Sequence, residues 1–232
     1  MKPMFSFSIF KCIAIGVFLF LPAPIFVVVL SSFARTGYLT FPPKGLSLRW
    51  YEEFLASDAW LTALAISAGI AVVVAILTTA LSFLAAFAAT RREFRGKSLL
   101  NFVILSPLLF PHAAIAVALL GVLSWWSLSG SYVGIAIAHA ILCIPFAYRP
   151  ILNSMQGFDL AYEEAGMMLG ATPGQVFRKV TLPILRPGIT TALIFSFIIS
   201  FDEATVTVFL LGPDVITLPT RIFSEIQESG SP

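Results

Sequence analysis

The sequence predicts an all-α integral membrane protein, and three observations predict it. The 232 residues are 58% hydrophobic and 11% charged, with a mean hydropathy of +0.94. Soluble domains run at about 45–50% apolar and about 25% charged. Charge-free stretches long enough to cross a bilayer recur along the chain, and Lys and Arg divide unevenly between the segments that join them. A soluble globule this small could not hide 22 Phe residues, because surface grows too fast relative to volume. Secreted, nucleic-acid-binding and disordered classes are excluded, and a net charge of +2 argues for no anionic partner. Cys12 and Cys143 both lie in apolar runs and read as small hydrophobes, not as a disulfide or metal framework.

A spanning helix needs about 20 mostly apolar residues. Cys12 to Ala34 carries no charge and is too long for a signal-peptide core. It predicts an uncleaved first span, about 10–33, kinked at Pro22 and Pro24. Ala59 to Thr90 gives the second, about 60–90. Ser98 to Tyr148 is uncharged and too long for one helix, so the Ser/Gly cluster at 127–131 divides it into spans of about 99–126 and 132–148. A fifth runs over about 189–211, interrupted only by Asp202 and Glu203. Alternating the loops puts ten Lys and Arg on one side and four on the other, which sets the N-terminus in the cytoplasm. The whole reads as one polytopic domain, 1–232.

Two segments between spans are not simple loops. Ser47–Leu55 places Trp50, Tyr51, Phe54 and Leu55 on neighbouring turns after a capping Ser47, which predicts a short interfacial helix. The second is Asp159 to Gly188, within an inner loop of about 157–188. Asp159 can cap a helix that carries Glu163 and Glu164 early, where the dipole favours acids. Gly170 can take the left-handed conformation that ends it. Thr172, Pro173 and Gln175 then start a second helix, with Leu182-Pro183 as its expected stop and Arg186-Pro187-Gly188 as a further break. Such short helices need a partner surface.

Glu164-Ala165-Gly166, three residues, Gly170, nine residues, then Val180-Thr181-Leu182-Pro183 resembles the EAA loop of permease subunits of binding-protein-dependent ABC importers. Gly166 stands where that family usually has Ala, and Val180 where it often has Ile. Gly45–Tyr51, Ser200–Glu203 and Leu218–Ser224 resemble the spermidine/putrescine-type branch. The resemblance implies a MetI-like permease fold of six spans, of which five are visible and the expected sixth is missing. It implies a bacterial inner-membrane subunit that forms a pathway with a second permease, as a heterodimer. Two cytoplasmic ATP-binding subunits and a periplasmic solute-binding protein complete the expected assembly, in contact with membrane lipid and with no nucleic acid. The expected coupling surface is Glu163, Glu164, Ala165, Gly166, Met167, Met168, Leu169, Gly170, Leu182 and Pro183.

The chain has no Gly-x-x-x-x-Gly-Lys-Ser/Thr loop, so ATP chemistry is expected from another subunit, and the resemblance implies a transport subunit and not an enzyme. ATP and Mg belong with the partner ATPase, and no cofactor or metal is expected in this chain. Asp202 lies roughly 20 Å along a helix from Ile189 at about 1.5 Å per residue. An ionised acid at mid-membrane costs about 2.5–3.5 kcal/mol, so Asp202 and Glu203 should face protein or water. They either contact substrate or a gate, or else bond a partner helix or cap a helix break. His112 is read as a satisfied buried imidazole or, alternatively, as a third pathway residue; His139 is also read as buried. Prolines 107, 111, 145 and 150 should kink the third and fourth spans. The expected cargo is a polyamine or related small organic solute, with ferric ion, aminophosphonate or amino-acid-like solutes as alternatives. A stand-alone ion-coupled carrier is the rival class, against which no repeated halves are visible. A membrane-embedded enzyme has no motif in its favour.

Overall fold

The structure is a computed structural model that describes residues 4–36, 41–212 and 215–228, with side chains from residue 9 onward. Among the described residues there are helices and two isolated antiparallel bridges but no strand. Four helices are long and apolar enough to cross a membrane, or five if one bent pair counts as a single span. The chain divides into two compact units, residues 1–61 with 224–232, and residues 62–223.

In the first unit, α1 (Met4–Phe20) and α2 (Ala23–Ser31) meet at Leu21 and Pro22, with Pro24 in the first turn of α2. Proline lacks an N–H and fits a helix start, so the break falls where the two prolines put it. Side chains from Ile9 on are largely exposed, as suits a helix solvated by lipid. The short amphipathic helix is α3 (Arg49–Ala56). Ser47 Oγ accepts from Arg49 N, Trp50 Nε1 donates to Ala34 O at 2.9 Å, and Tyr51 OH meets Ser32 Oγ at 2.7 Å. Its aromatic rings thus use their polar tips to tie α3 to the end of α2.

After α3 the order is α4 (Asp58–Arg91), α5 (Lys97–Leu105), a 3₁₀ turn (Ser106–Leu109), α6 (His112–Trp125), α7 (Tyr132–Gln156), α8 (Ala161–Met168), α9 (Pro173–Val176), a π turn (Phe177–Thr181), α10 (Leu182–Asp202), α11 (Thr205–Leu210) and α12 (Leu218–Glu228); the second unit takes in α4 from residue 62 and α12 up to residue 223. Helix α4 buries its small and hydroxyl residues, Ser67, Ala71, Ala75, Thr78, Ser82 and Ala86. It exposes Val72, Val73, Ile76, Leu77 and Leu84. That is the membrane pattern, in which small residues allow close helix approach and large apolar ones meet lipid. Helix α7 is central. Ile135, Ala138, Leu142 and Cys143 pack with Val74, Leu123, Val206 and Leu210, while Ala147, Tyr148 and Ile151 pack with Ala86, Leu185 and Ala192. At the α7–α10 crossing a Cβ on Gly188 would collide with Ser154, so only glycine permits the approach.

Three differences from the sequence-based expectation have local causes. The stretch expected as a span at 99–126 is two apolar arms at 111°. Pro111 supplies no N–H and forces Phe110 into extended backbone (ψ 144°), so the helix must restart at His112. Leu182-Pro183 does not stop the second loop helix, and Pro187 does not break the chain. Apolar helix continues from Pro173 to Asp202, because the π turn just before Pro183 absorbs its missing donor. Thr191 Oγ1 donates a further hydrogen bond to Pro187 O, one turn back along the same helix. Helix α7 also runs on past Tyr148 to Gln156, through Arg149 and Pro150.

Candidate functional site

The loop of about 157–188 folds into an elbow. Asp159 Oδ1 accepts from Ala161 N at 2.9 Å at the start of α8. At the far end Gly170 has φ +86°; its N–H bonds Met167 O and the Ala171 N–H bonds Gly166 O, the paired bonds of a left-handed glycine cap. A Cβ on Gly170 would meet no atom within 4 Å, so a substitution there would be opposed by backbone conformation alone, about 1–2 kcal/mol. Thr172 and Gln175 form a reciprocal capping box on α9. Gly166 lies under Val176: an alanine Cβ there would sit 3.1 Å from Val176 Cγ2. The departure from Ala at 166 is therefore matched by the packing of α8 on the buried Val176.

Glu163 points back into its own chain. Its Oε1 accepts from Arg91 at 2.6 Å and from Thr181 Oγ1 at 2.6 Å. One carboxylate thus ties α8 to the last residue of α4 and to the turn that leads into α10. The Arg91 guanidinium stands over Phe87 and Phe158 at 5.7 and 5.2 Å. Phe177 packs edge-on against Phe83 and Phe87. Glu164 and Ala165 are exposed, Leu182 and Pro183 begin α10 half-buried, and Met167 is exposed. Met168 and Leu169 stand furthest out, 86% and 89% accessible, outside every candidate span.

The second cluster surrounds the break between α10 and α11. Asp202 closes α10 and is exposed. Its neighbour Glu203 is buried: Oε1 accepts from Val206 N at 2.9 Å, and Oε2 lies 3.1 Å from His112 Nδ1. Glu203 therefore caps α11 and links it to the first residue of α6, so the two interrupted segments meet here. His112 is 46% exposed, which corrects the reading of it as a buried imidazole. His139 is buried, between Ser200 Oγ at 2.9 Å and Thr207 Oγ1 at 2.8 Å. Thr207 gives its proton to Glu203 O, so its oxygen accepts from Nε2–H and Nδ1 accepts from Ser200. Among the described residues no group of three potential metal ligands exists.

Arg91, Thr181, Ser200 and Thr207 are site residues that the sequence does not mark. Arg91 carries a weak signal, as the cation that ends a long uncharged run; nothing in a single sequence pairs it with a glutamate 72 positions on.

An all-helical fold with four or five apolar candidate spans, an elbow outside them and a polar break in one of them is the architecture of a polytopic membrane protein. The chain belongs to the family of binding-protein-dependent transport system inner membrane components, which residues 80–230 match, elbow and polar break included. It is similar to the spermidine/putrescine transport system permease protein PotC of Haemophilus influenzae, at 32% identity over 93% of this chain and 84% of that one. It is likewise similar to the putrescine transport system permease protein PotI of Escherichia coli K12, at 32% identity over 93% and 79%. The crystal structure of a bacterial ABC transporter involved in import of the acidic polysaccharide alginate matches with a TM-score of 0.69 at 19% identity, over 99% of this chain and 82% of that one. That likeness establishes the shared all-α, MetI-like fold.

Proposed function

We propose that this chain forms the translocation pathway of an ATP-driven importer together with a second permease, as a heterodimer. It lies in a bacterial inner membrane with its N-terminus in the cytoplasm, receives cargo from a periplasmic solute-binding protein, and turns its elbow toward one of two ATP-binding subunits. ATP and Mg stay with those subunits. The observation that carries this reading is the exposed pair Met168 and Leu169 on a braced elbow. Each large apolar side chain left in water forgoes about 1.5–3 kcal/mol of burial. A groove on a partner would recover it, and methionine adapts to such grooves. Glu163 then makes the elbow a lever, since Arg91 and Thr181 connect it to two spans. Glu164, Ala165, Gly166, Met167 and Gly170 shape the docked face, and Leu182 and Pro183 are its joint with α10.

The cargo is a polyamine or related small organic solute, a reading supported by the names of the relatives. Asp202 is the acid placed to meet a cation, while Glu203 and His112 hold the break beside it. Reconstitution of the whole assembly in liposomes tests this. Uptake of labelled putrescine or spermidine should require ATP, and Asp202→Asn should slow it about tenfold, the equivalent of about 1.4 kcal/mol, with co-purification unchanged. Uptake that proceeds without the ATP-binding subunits would overturn the importer reading; unchanged uptake in Asp202→Asn would remove the acid from the pathway.

A further inference from the structure

The ends of three apolar segments enclose a cleft of about 320 Å³. Arg91 is the last residue of α4, Lys97 the first of α5 and Gln156 the last of α7, and each bounds a candidate span. A cleft made of span termini opens at the membrane–water boundary. Its lining has two characters. Arg91, Lys97, Asn101 and Gln156 are polar, while Leu152 and Phe158 are apolar.

The polar side is rich in donors. Residues 91–97, from the end of α4 to the start of α5, hold four cations, Arg91, Arg92, Arg95 and Lys97, against one acid, Glu93. Glu163 engages one terminal nitrogen of Arg91, and a guanidinium carries five N–H groups, so donors remain. Lys97 contacts Glu93 at 2.9 Å, but the Glu93 side chain is 91% exposed, and such pairs exchange readily. Tyr148 donates to Asn101 Oδ1, which leaves the Asn101 amide nitrogen as a donor. No side chain caps the start of α5, where Gly96 turns the chain at φ +103°. Donors and positive charge beside apolar walls, at headgroup depth, match one kind of molecule.

We infer that this cleft binds the phosphate of an anionic phospholipid. The phosphodiester lies against Lys97, Arg91 and Asn101, and the glycerol and first acyl carbons lie along Leu152 and Phe158. Free phosphate shares the charge but has no use for the apolar walls. The site borders the Arg91–Glu163 tie, so the lipid is placed to influence the elbow.

The test uses the full chain in its purified assembly. Native mass spectrometry and thermal shift are read after addition of phosphatidylglycerol, phosphatidylcholine or inorganic phosphate. Phosphatidylglycerol alone should be retained and should stabilise. Lys97→Glu should weaken its retention about tenfold or more, since reversal removes one attractive charge and adds a repulsive one. An acid in the first turn of α5 suits the helix dipole, so this variant should fold. Lys97→Gln should fall between it and the parent, and Lys44→Glu should behave as the parent. Equal retention of phosphatidylcholine, equal stabilisation by inorganic phosphate, or unchanged retention in both Lys97 variants would each overturn the proposal.

Discussion

Replacing both Met168 and Leu169 with aspartate is expected to reduce ATP-driven uptake at least about a hundredfold, with normal insertion in the membrane. The two side chains are the most accessible large apolar groups among the described residues, so the fold loses little when they change. A docked complex loses much more. Each side chain contributes about 1.5–3 kcal/mol when covered, and a carboxylate in an apolar groove adds a desolvation penalty. A loss of about 3 kcal/mol already corresponds to more than a hundredfold in binding. The ATP-binding subunits should therefore fail to co-purify. Parental uptake by this variant, at matched membrane levels, would show that the elbow tip is not the coupling contact.

The second large effect concerns stability. Glu203→Leu should destabilise the α10–α11 region by about 2–3 kcal/mol, because the Val206 N–H loses its cap and stays buried without an acceptor. The half-exposed His112 can return to water, which keeps the loss below that of a fully buried pair. Glu203→Gln should recover most of it: the amide oxygen accepts from Val206 N, and the amide nitrogen donates to His112 Nδ1. Thermal unfolding of the detergent-solubilised assembly reads both variants. Equal losses for Leu and Gln would mean that charge, not capping, matters at this position. Asp202→Asn should leave the melting temperature unchanged, which separates the two neighbouring acids.

The contrast between those two acids shows how much of the site is legible in the amino-acid sequence. Features encoded within four residues can be read there: the Gly170 cap, the Thr172–Gln175 box and the amphipathic run at Trp50 each follow from local spacing. That an acid could cap a helix break is legible too, but not that Glu203 takes that role and leaves Asp202 exposed. Neighbours in sequence diverge because a helix end rotates successive side chains to different sides. The brace through Glu163 is hidden for another reason. Its partners Arg91 and Thr181 come from distant segments, brought together only by the packing of α4, α7 and α10. Prolines mislead in both directions. Pro111 bends its segment through 111°, far beyond a kink, while Pro183 ends nothing because a π turn precedes it. Proline's missing donor is certain from sequence; how the surrounding turns accommodate it is not.

Cross-linking from the elbow tests the coupling role most directly. Cys12 is exposed and Cys143 buried, so a Cys12→Ser background leaves Leu169→Cys as the accessible thiol among the described residues. In intact cells this thiol should resist membrane-impermeant reagents. In inverted vesicles it should cross-link to an ATP-binding subunit, with a yield that changes when ATP is added. Labelling from outside the cell, or adducts with no nucleotide-binding subunit, would contradict the assignment of the elbow as the coupling element.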